Sequence, residues 1–189
     1  IAEKLFKRLT DRGTDNREVR RPTQLGEICA VAEAELDEVI AVIDAFRAPR
    51  RSFLMPPTSK TLTESSVIDI SHESLMRNWS QLKVWVTAEA RSATVYRRLS
   101  ETAELHRKGK ANYLRDPELT IGLTWLKEQM PNAVWADERY APEFDGAIAF
   151  LQASADARDE EVLNKERARK REINRLRTFL VLLGGLSLL

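Results

Sequence analysis

The sequence contains very little cysteine and histidine. Its 189 residues include one cysteine, Cys29, and two histidines, His72 and His106. A single cysteine excludes an intramolecular disulfide framework, and so few histidines leave too few ligands for a structural zinc cluster. This usage favours a reducing, intracellular setting. Charge of one sign is also scarce, because 30 Lys and Arg against 29 Asp and Glu leave a net charge of +1. The chain therefore lacks the overall basic field that is typical of nucleic-acid-binding proteins.

The sequence also lacks the common catalytic motifs. It has no G-x-x-x-x-G-K-[ST] phosphate loop, no G-x-S-x-G elbow and no H-E-x-x-H pair. Its many acidic residues lie on predicted helix surfaces beside basic partners, as in an ordinary solvated face. We therefore predict that this segment alone is not an enzyme and holds no metal or cofactor.

The composition does allow a sizeable core, since 43% of the residues are hydrophobic. The apolar periodicity predicts a mainly α protein with a small β wing. Residues 1–86 show the order helix, strand, helix, helix, strand, loop, strand, which is the winged-helix arrangement. Thr23 is predicted to cap the second helix. The predicted bounds are helix 1–10, strand 18–21, helices 23–32 and 34–46, and wing strands 52–55 and 67–70.

The remainder of the chain is predicted to be helical. Residues 87–155 form a helical arm, with a break near 90–93 because one helix from residue 71 to Gly109 would be unusually long for a compact domain. Residues 156–178 form a charged helix without an apolar stripe, supported by i,i+4 pairs such as Glu161 with Lys165. The tryptophans are interpreted as core residues: Trp79, Trp85, Trp125 and Trp135.

An uncharged apolar run, residues 179–189, follows the charged helix. As a helix it would cover about 16 Å, roughly half of a bilayer core, so we interpret it as the start of a truncated transmembrane helix. The basic cluster before it predicts a cytoplasmic domain anchored to the inner membrane, cut from a longer protein. The candidate residues for contact with anionic lipid are Arg169, Lys170, Arg171, Arg175 and Arg177. The alternatives are a C-terminal helix that docks on the domain and a basic cluster that is only a solvated face.

One short segment carries the candidate site residues. Ser71, His72 and Glu73 lie where the last wing strand ends and the following helix begins. Ser71 is predicted to be the N-cap, which places His72 at the first helical position, where free backbone N–H groups and the helix dipole favour an anion. Glu73 partly opposes such an anion by its own charge. The alternative is that His72 packs at a strand–helix corner.

The stretches RAPRRSFLMPP (47–57) and VIDISHESLMRNWSQLKVWV (67–86) resemble the region after the nucleotide-binding core of bacterial STAND-type P-loop NTPases. More narrowly, they resemble the novel STAND group, whose members often carry WD-repeat propellers. In that group a winged-helix domain is followed by a helical arm and then by a transmembrane helix or repeats. The ISHESL segment is similar to the MHD motif of the related NB-ARC ATPases, whose histidine reaches the β-phosphate of bound ADP. The resemblance places this role on His72, with Glu73 at the motif's aspartate and Ser71 at its hydrophobic residue.

The resemblance implies a regulatory segment of a signalling NTPase. ADP or ATP with Mg²⁺ is expected in an N-terminal P-loop core outside these residues, and the winged helix is expected to sense which nucleotide is bound. The expected partners are that core, a C-terminal repeat or effector region, the membrane through residues 179–189, and further copies of the protein on activation.

Two other functions stay open at this point. One is a plain helical adaptor, and the other is a membrane-anchored regulator that binds DNA through the winged helix. DNA binding is disfavoured because the helix that would enter the major groove is acidic and has no Lys or Arg before Arg47. Its acidic residues are Glu35, Asp37, Glu38 and Asp44. The basic residues near the wing would contact only a phosphate backbone: Arg47, Arg50, Arg51 and Lys60.

Overall fold

The computed structural model describes residues 1–12, 18–137 and 139–186. In these residues the chain is mainly helical and contains small antiparallel sheets. The helices are α1 (Ala2–Arg8), α2 (Leu25–Ala32), α3 (Leu36–Arg47), α4 (Glu73–Asn78), α5 (Ser80–Arg107), α6 (Glu118–Gln129), α7 (Ala133–Asp137) and α8 (Phe144–Leu186). The strands are β1 (Thr10–Arg12), β2 (Glu18–Arg20), β3 (Thr23–Gln24), β4 (Leu54–Met55) and β5 (Val67–Ile70).

The strands form two small antiparallel sheets. Strand β5 lies between β3 and β4, with Thr23 opposite Ile68 and Leu54 opposite Ile70. The strand predicted at 18–21 is β2, but it pairs with β1, where the end of the first helix was predicted. The wing strand predicted at 52–55 is reduced to β4, whereas the strand at 67–70 matches β5.

Thr23 is not the helix cap that the sequence predicts. It lies in strand β3, and its hydroxyl donates to the carbonyl oxygen of Arg21 at 2.9 Å. The helix begins at Leu25, after Gln24. The next helix is shifted relative to the predicted 34–46, because Glu35 and Glu38 form a capping box at its start.

The predicted helix break near 90–93 is wrong. The break lies at Trp79, whose backbone is extended and whose ring packs edge-on against Phe6 with 4.9 Å between ring centroids. From Ser80 the helix continues for 28 residues. Small side chains around position 92 do not interrupt it because they are packed against α6: Ser92 accepts a hydrogen bond of 2.7 Å from Nε1 of Trp125. The helix ends at Arg107, before Gly109 with its φ of 69°.

The last helix is continuous across the position where arm and charged helix were separated. Helix α8 begins at Phe144 and ends at Leu186, so residue 155 is not the end of an element. Its first part packs on the protein through buried side chains such as Leu151 and Ala155, while positions 159–178 are all exposed. Within the described ranges, no helix combines the length and the apolar character needed to cross a membrane. The predicted transmembrane start at 179–189 is therefore not supported, and its last three residues lie outside the described part of the chain.

Buried apolar residues form two clusters. The first contains residues of α1, α2, α3, β4, β5 and α4, and it ends on α5 with Leu82 and Val86. The second lies between α5, α6, α7 and α8, around Tyr96, Trp125 and Trp135. Helix α5 contributes to both clusters. Of the four predicted core tryptophans, Trp125 and Trp135 are buried, and Trp79 and Trp85 are half-buried against the first cluster.

Buried polar groups connect the two clusters. Glu89, in the middle of α5, accepts hydrogen bonds from Nε1 of Trp135 at 2.7 Å and from the Tyr140 hydroxyl at 2.6 Å. The guanidinium of Arg139 lies 3.9 Å from the Glu89 carboxylate and donates to the carbonyl oxygen of Lys7 at 3.1 Å. The Glu89 side chain thus accepts from α7 and from the segment between α7 and α8, and that segment is tied to α1.

Tyr140 makes the stability of this connection dependent on alkaline pH. Burial raises the pKa of its hydroxyl, and the neighbouring Glu89 carboxylate raises it further. Above about pH 10 the unfolded chain releases the tyrosine proton while the folded protein keeps it, so unfolding becomes more favourable.

We expect Tyr140→Phe to flatten the alkaline loss of stability. The free energy of unfolding of the unmodified protein should fall above about pH 10 more steeply than that of the variant, by up to about 1.4 kcal/mol per pH unit. Urea unfolding between pH 8 and about 11 measures both slopes. Tyr113→Phe, at a tyrosine that is 45% exposed, is the control and should leave the slope unchanged. Equal slopes for the Tyr140→Phe variant and the unmodified protein would contradict the burial argument.

Candidate functional site

The predicted site lies at the corner between β5 and α4. Strand β5 is the central strand of its sheet: β3 pairs with its first two residues, and β4 pairs with its last two, Asp69 and Ile70. The corner is attached to the segment before β4 by two bonds: the Ser71 amide donates to Phe53 at 3.0 Å, and the Ser71 hydroxyl donates to the carbonyl oxygen of Ser52 at 2.5 Å. The three candidate residues Ser71, His72 and Glu73 are therefore presented from a rigid turn.

His72 is exposed at this corner. Its ring has no hydrogen bond or ion pair with any residue in the described part of the chain. The alternative reading, in which the ring packs at a strand–helix corner, does not agree with this exposure. The side chain is free to contact a partner outside the described residues.

The helix that follows differs from the predicted one. His72 is itself the N-cap, with φ −140° and ψ 134°, instead of the first helical residue after a Ser71 cap. Helix α4 has only six residues, so its dipole is small compared with that of the long helix expected from sequence. The helix dipole therefore favours an anion at this corner less than the sequence predicts. The exposure of the His72 ring is the stronger support for an anion site here.

The two neighbours of His72 are occupied within the chain. The Ser71 hydroxyl serves the bond to Ser52 and does not cap a helix. The Glu73 carboxylate lies 3.3 Å from the guanidinium of Arg77, one turn along α4. This pair is largely exposed, and it balances the negative charge of Glu73 beside the ring.

Arg20 is a member of the corner that sequence reasoning missed. From strand β2 it donates to the Asp69 carboxylate at 3.0 Å and to the carbonyl oxygen of Ile70 at 2.9 Å. Its side chain remains 37% exposed. Asp69 and Ile70 follow Arg20 in the sequence by 49 and 50 positions, so no local pattern indicates the contact. Through these contacts Arg20 places a cation beside the last two residues of β5, which directly precede Ser71 and His72 in the sequence.

Further basic residues adjoin the corner through Ser52. Arg50 and Arg51 are exposed and directly precede the serine whose carbonyl oxygen holds Ser71. Arg50 has a φ of 73° and Ser52 a φ of 44°, so this turn has a left-handed backbone at two non-glycine positions. The sequence predicts these arginines near the wing, and in the structure their turn lies beside Ser71.

Arg47 has a structural position and is not a surface cation. Its side chain is 5% exposed, and its Nε donates to the Asp44 carboxylate at 2.6 Å. Its Nη1 donates to the carbonyl oxygens of Pro56, Pro57 and Lys60 at 3.0–3.3 Å. Arg47 therefore anchors the wing loop to α3, and the prediction that it is available to a nucleic-acid backbone is wrong.

The candidate lipid-contact residues lie on a different element. Arg169, Lys170, Arg171, Arg175 and Arg177 are all exposed on α8, and the structure does not bring them together with His72. Contact with anionic lipid stays a prediction. Among the described residues, no group of three or more His, Cys, Asp or Glu side chains is arranged to hold a metal ion.

These observations define a mainly helical segment that contains small sheets and presents an exposed basic corner. The family model described as novel STAND NTPase 1 matches residues 1–113. This match covers more than half of the chain, and the chain belongs to that family. No curated protein and no solved structure gives a significant match.

The anchoring role of Arg47 gives a stability prediction. Arg47→Met keeps much of the side-chain volume but leaves the wing carbonyls without their donor, so the free energy of unfolding should fall by about 2 kcal/mol. Urea denaturation measures this loss. Arg51→Met, at an exposed arginine with one bond to Ala45, is the matched control and should change stability by less than about 0.5 kcal/mol. Equal effects of the two substitutions would show that Arg47 does not anchor the loop.

Proposed function

We propose that this chain is the regulatory, signal-transmitting segment of a STAND NTPase. In this proposal residues 1–86 are a winged-helix domain that contacts a nucleotide-loaded P-loop core N-terminal to Ile1. His72 senses whether the core holds ADP or ATP, and the helices that follow transmit the difference. ADP or ATP with Mg²⁺ belongs to the core and is not held by this chain. The observation that carries the proposal is the exposed, unbonded ring of His72 on a rigid corner.

The order of elements supports the winged-helix part of the proposal. After α1 the chain runs β3, α2, α3, β4 and β5, and β5 lies between β3 and β4. Winged-helix domains have this arrangement. A strand comes first, a helix–turn–helix pair follows it, and two wing strands then join the first strand to complete the sheet. The β1–β2 hairpin is an addition between α1 and β3.

The corner has the charge that a phosphate partner requires. The exposed groups around His72 are mostly basic: Arg20, Arg50, Arg51 and Arg77. Two acidic groups are present, but Asp69 is bonded to Arg20 and Glu73 is paired with Arg77. A phosphate that approaches the ring therefore meets partly neutralised carboxylates and cations with free donors. This arrangement fits a β-phosphate better than it fits a cationic or apolar partner.

The energy available from His72 is limited. A hydrogen bond to a charged group contributes about 1.5–3 kcal/mol, whereas a nearly complete shift between two states needs about 5.5 kcal/mol. The surface between the winged helix and the core supplies the rest in this proposal. The histidine therefore biases the equilibrium toward the ADP-bound arrangement and does not hold it alone.

The DNA-binding alternative is weakened by two features. Helix α3 carries Asp37, Glu38 and Asp44 on exposed positions, and Glu35 caps its start. Arg47, the basic residue nearest to the end of this helix, is buried in the wing loop. A helix with this charge is repelled by phosphates on both sides of a groove. The plain-adaptor alternative is compatible with the same packing, and only the nucleotide response separates it from the proposal.

The sensor role predicts a loss of ADP affinity. In the longer protein that contains the P-loop core, His72→Ala should weaken ADP binding by about 10- to 100-fold, because one charge-assisted hydrogen bond is lost. Isothermal titration calorimetry or the rate of fluorescent-ADP release measures the change. Asn78→Ala, at an exposed residue at the other end of α4, is the control and should retain the original affinity. An unchanged ADP affinity in the His72→Ala protein would remove the sensor role and leave the adaptor.

The charge of α3 predicts no specific DNA binding by the 189-residue chain. Fluorescence anisotropy with labelled duplex DNA at about 150 mM salt should show no saturable signal at micromolar protein. Asp37→Arg reverses an exposed charge on the same helix without touching the Arg47–Asp44 pair, and it should introduce weak, salt-sensitive binding. Saturable binding by the unmodified chain that depends on duplex sequence would restore the DNA-binding function.

A further inference from the structure

The exposed part of α8 has no partner within the described chain. All positions from 159 to 178 are exposed, although Val162, Leu163, Ile173 and Leu176 on this stretch are apolar and 41–58% exposed. A solitary helix in water gains stability from i,i+4 pairs, and one such pair joins Lys165 to Glu161 at 2.6 Å. These pairs do not cover the apolar side chains.

A sparse heptad stripe runs along this stretch. Counting with the 4–3 spacing of a coiled coil, positions 159, 166 and 173 are a positions, and 162, 169 and 176 are d positions. The stripe is apolar at Val162, Ile173 and Leu176, and it is charged at its first position, Asp159, and in its middle, at Glu166 and Arg169. Ala155 is buried in the chain's own core, whereas every position of the stripe from 159 onward is exposed; Val162 lies at the edge of a cleft that residues 112–116 also line.

We propose that this stripe, residues 159–176 of α8, forms an antiparallel two-stranded coiled coil with a second copy of this chain. In an antiparallel pair each a position faces a d position of the other helix. With the stretch aligned on itself, Val162 faces Ile173 of the second copy, and Glu166 faces its Arg169. The overlap is about 26 Å long at 1.5 Å per residue.

The charges of the flanking positions agree with this alignment. In antiparallel coiled coils the g positions of the two helices face each other, as do the e positions. Lys165 then faces Glu172 of the second copy, and Asp156 faces its Arg177. The central pair of Glu166 with Arg169 and these two flanking pairs are of opposite sign, whereas Leu163 faces Lys170 and Asp159 faces Leu176 of the second copy.

The parallel arrangement is disfavoured by the same residues. In register, Glu166 would face Glu166 and Arg169 would face Arg169, and Lys165 would lie beside Lys170 of the other copy. Like charges at such close range are repelled, so the sequence of the stripe selects the antiparallel partner. The basic residues Arg171 and Arg175 point away from the stripe in either arrangement.

The first test measures self-association of the 189-residue chain by sedimentation equilibrium. We expect a dimer of twice 21.6 kDa that salt weakens, because charged pairs occupy its centre. Glu166→Arg and Arg169→Glu should each raise the dissociation constant by about tenfold or more, and the double variant, which reverses the pair, should restore it to within about threefold. Glu160→Arg and Arg171→Glu are the matched charge changes off the stripe and should have little effect. A monomer at every concentration, or equal effects on and off the stripe, would overturn the proposal.

The second test determines the orientation. In a Cys29→Ser background, chains with Val162→Cys and chains with Ile173→Cys are mixed and oxidised. The antiparallel pair predicts a disulfide between the two different chains, whereas the parallel pair predicts disulfides between identical ones. Circular dichroism of each variant checks that the fold is retained, which the exposure of these positions favours.

Phosphatidylserine vesicles are the third probe: a chain that stays monomeric in solution and associates only on the vesicles has a lipid surface and not a second copy as its partner. These outcomes do not involve nucleotide, so they are independent of the His72 proposal.

Discussion

The burial of the Glu89 carboxylate is the constraint on which the arrangement of the protein depends. A buried carboxylate costs free energy unless donors surround it, and here Trp135, Tyr140 and Arg139 supply them. These donors belong to the segment from α7 to the start of α8, whereas Glu89 belongs to α5. Arg139 also bonds to the end of α1. Any displacement of the two clusters relative to each other separates charged and polar groups that are mostly shielded from water, so the connection has one preferred geometry.

The continuity of α5 gives this constraint a functional meaning. The helix contributes Val86 to the first cluster and Tyr96 to the second, with Glu89 between them. Its 28 residues cover about 42 Å without a hinge. The only interruption is at Trp79, next to the corner with His72, where the six-residue α4 joins the sheet to α5. A displacement of the corner therefore either moves α4 about Trp79 or moves α5 and the second cluster as a unit.

The sequence predicts the elements that depend on apolar period and misses those that depend on distant polar groups. Strand β5 and the α2–α3 pair follow from the spacing of residues such as Ile68 and Ile43 along the chain. Strand β2 is predicted, but its partner β1 is not, because Thr10, Asp11 and Arg12 are polar and show no apolar period. The positions of Arg20 and Arg47 depend on contacts with Asp69 and with the wing carbonyls. A basic residue in the sequence has the same appearance whether it is buried or free.

The candidate site shows the same division. The place of His72 at a strand–helix corner is encoded locally and could be predicted, whereas the length of the helix after it depends on Trp79 packing against Phe6 from α1. This contact shortens α4 and leaves a weak dipole at the corner. In the proposed sensor the anion preference must then come from side-chain charge, which the arginines from β2 and from the turn before β4 supply. A corner assembled from three separate segments in this way exists only in the folded domain, so the proposed contact with phosphate requires the sheet that holds those segments together.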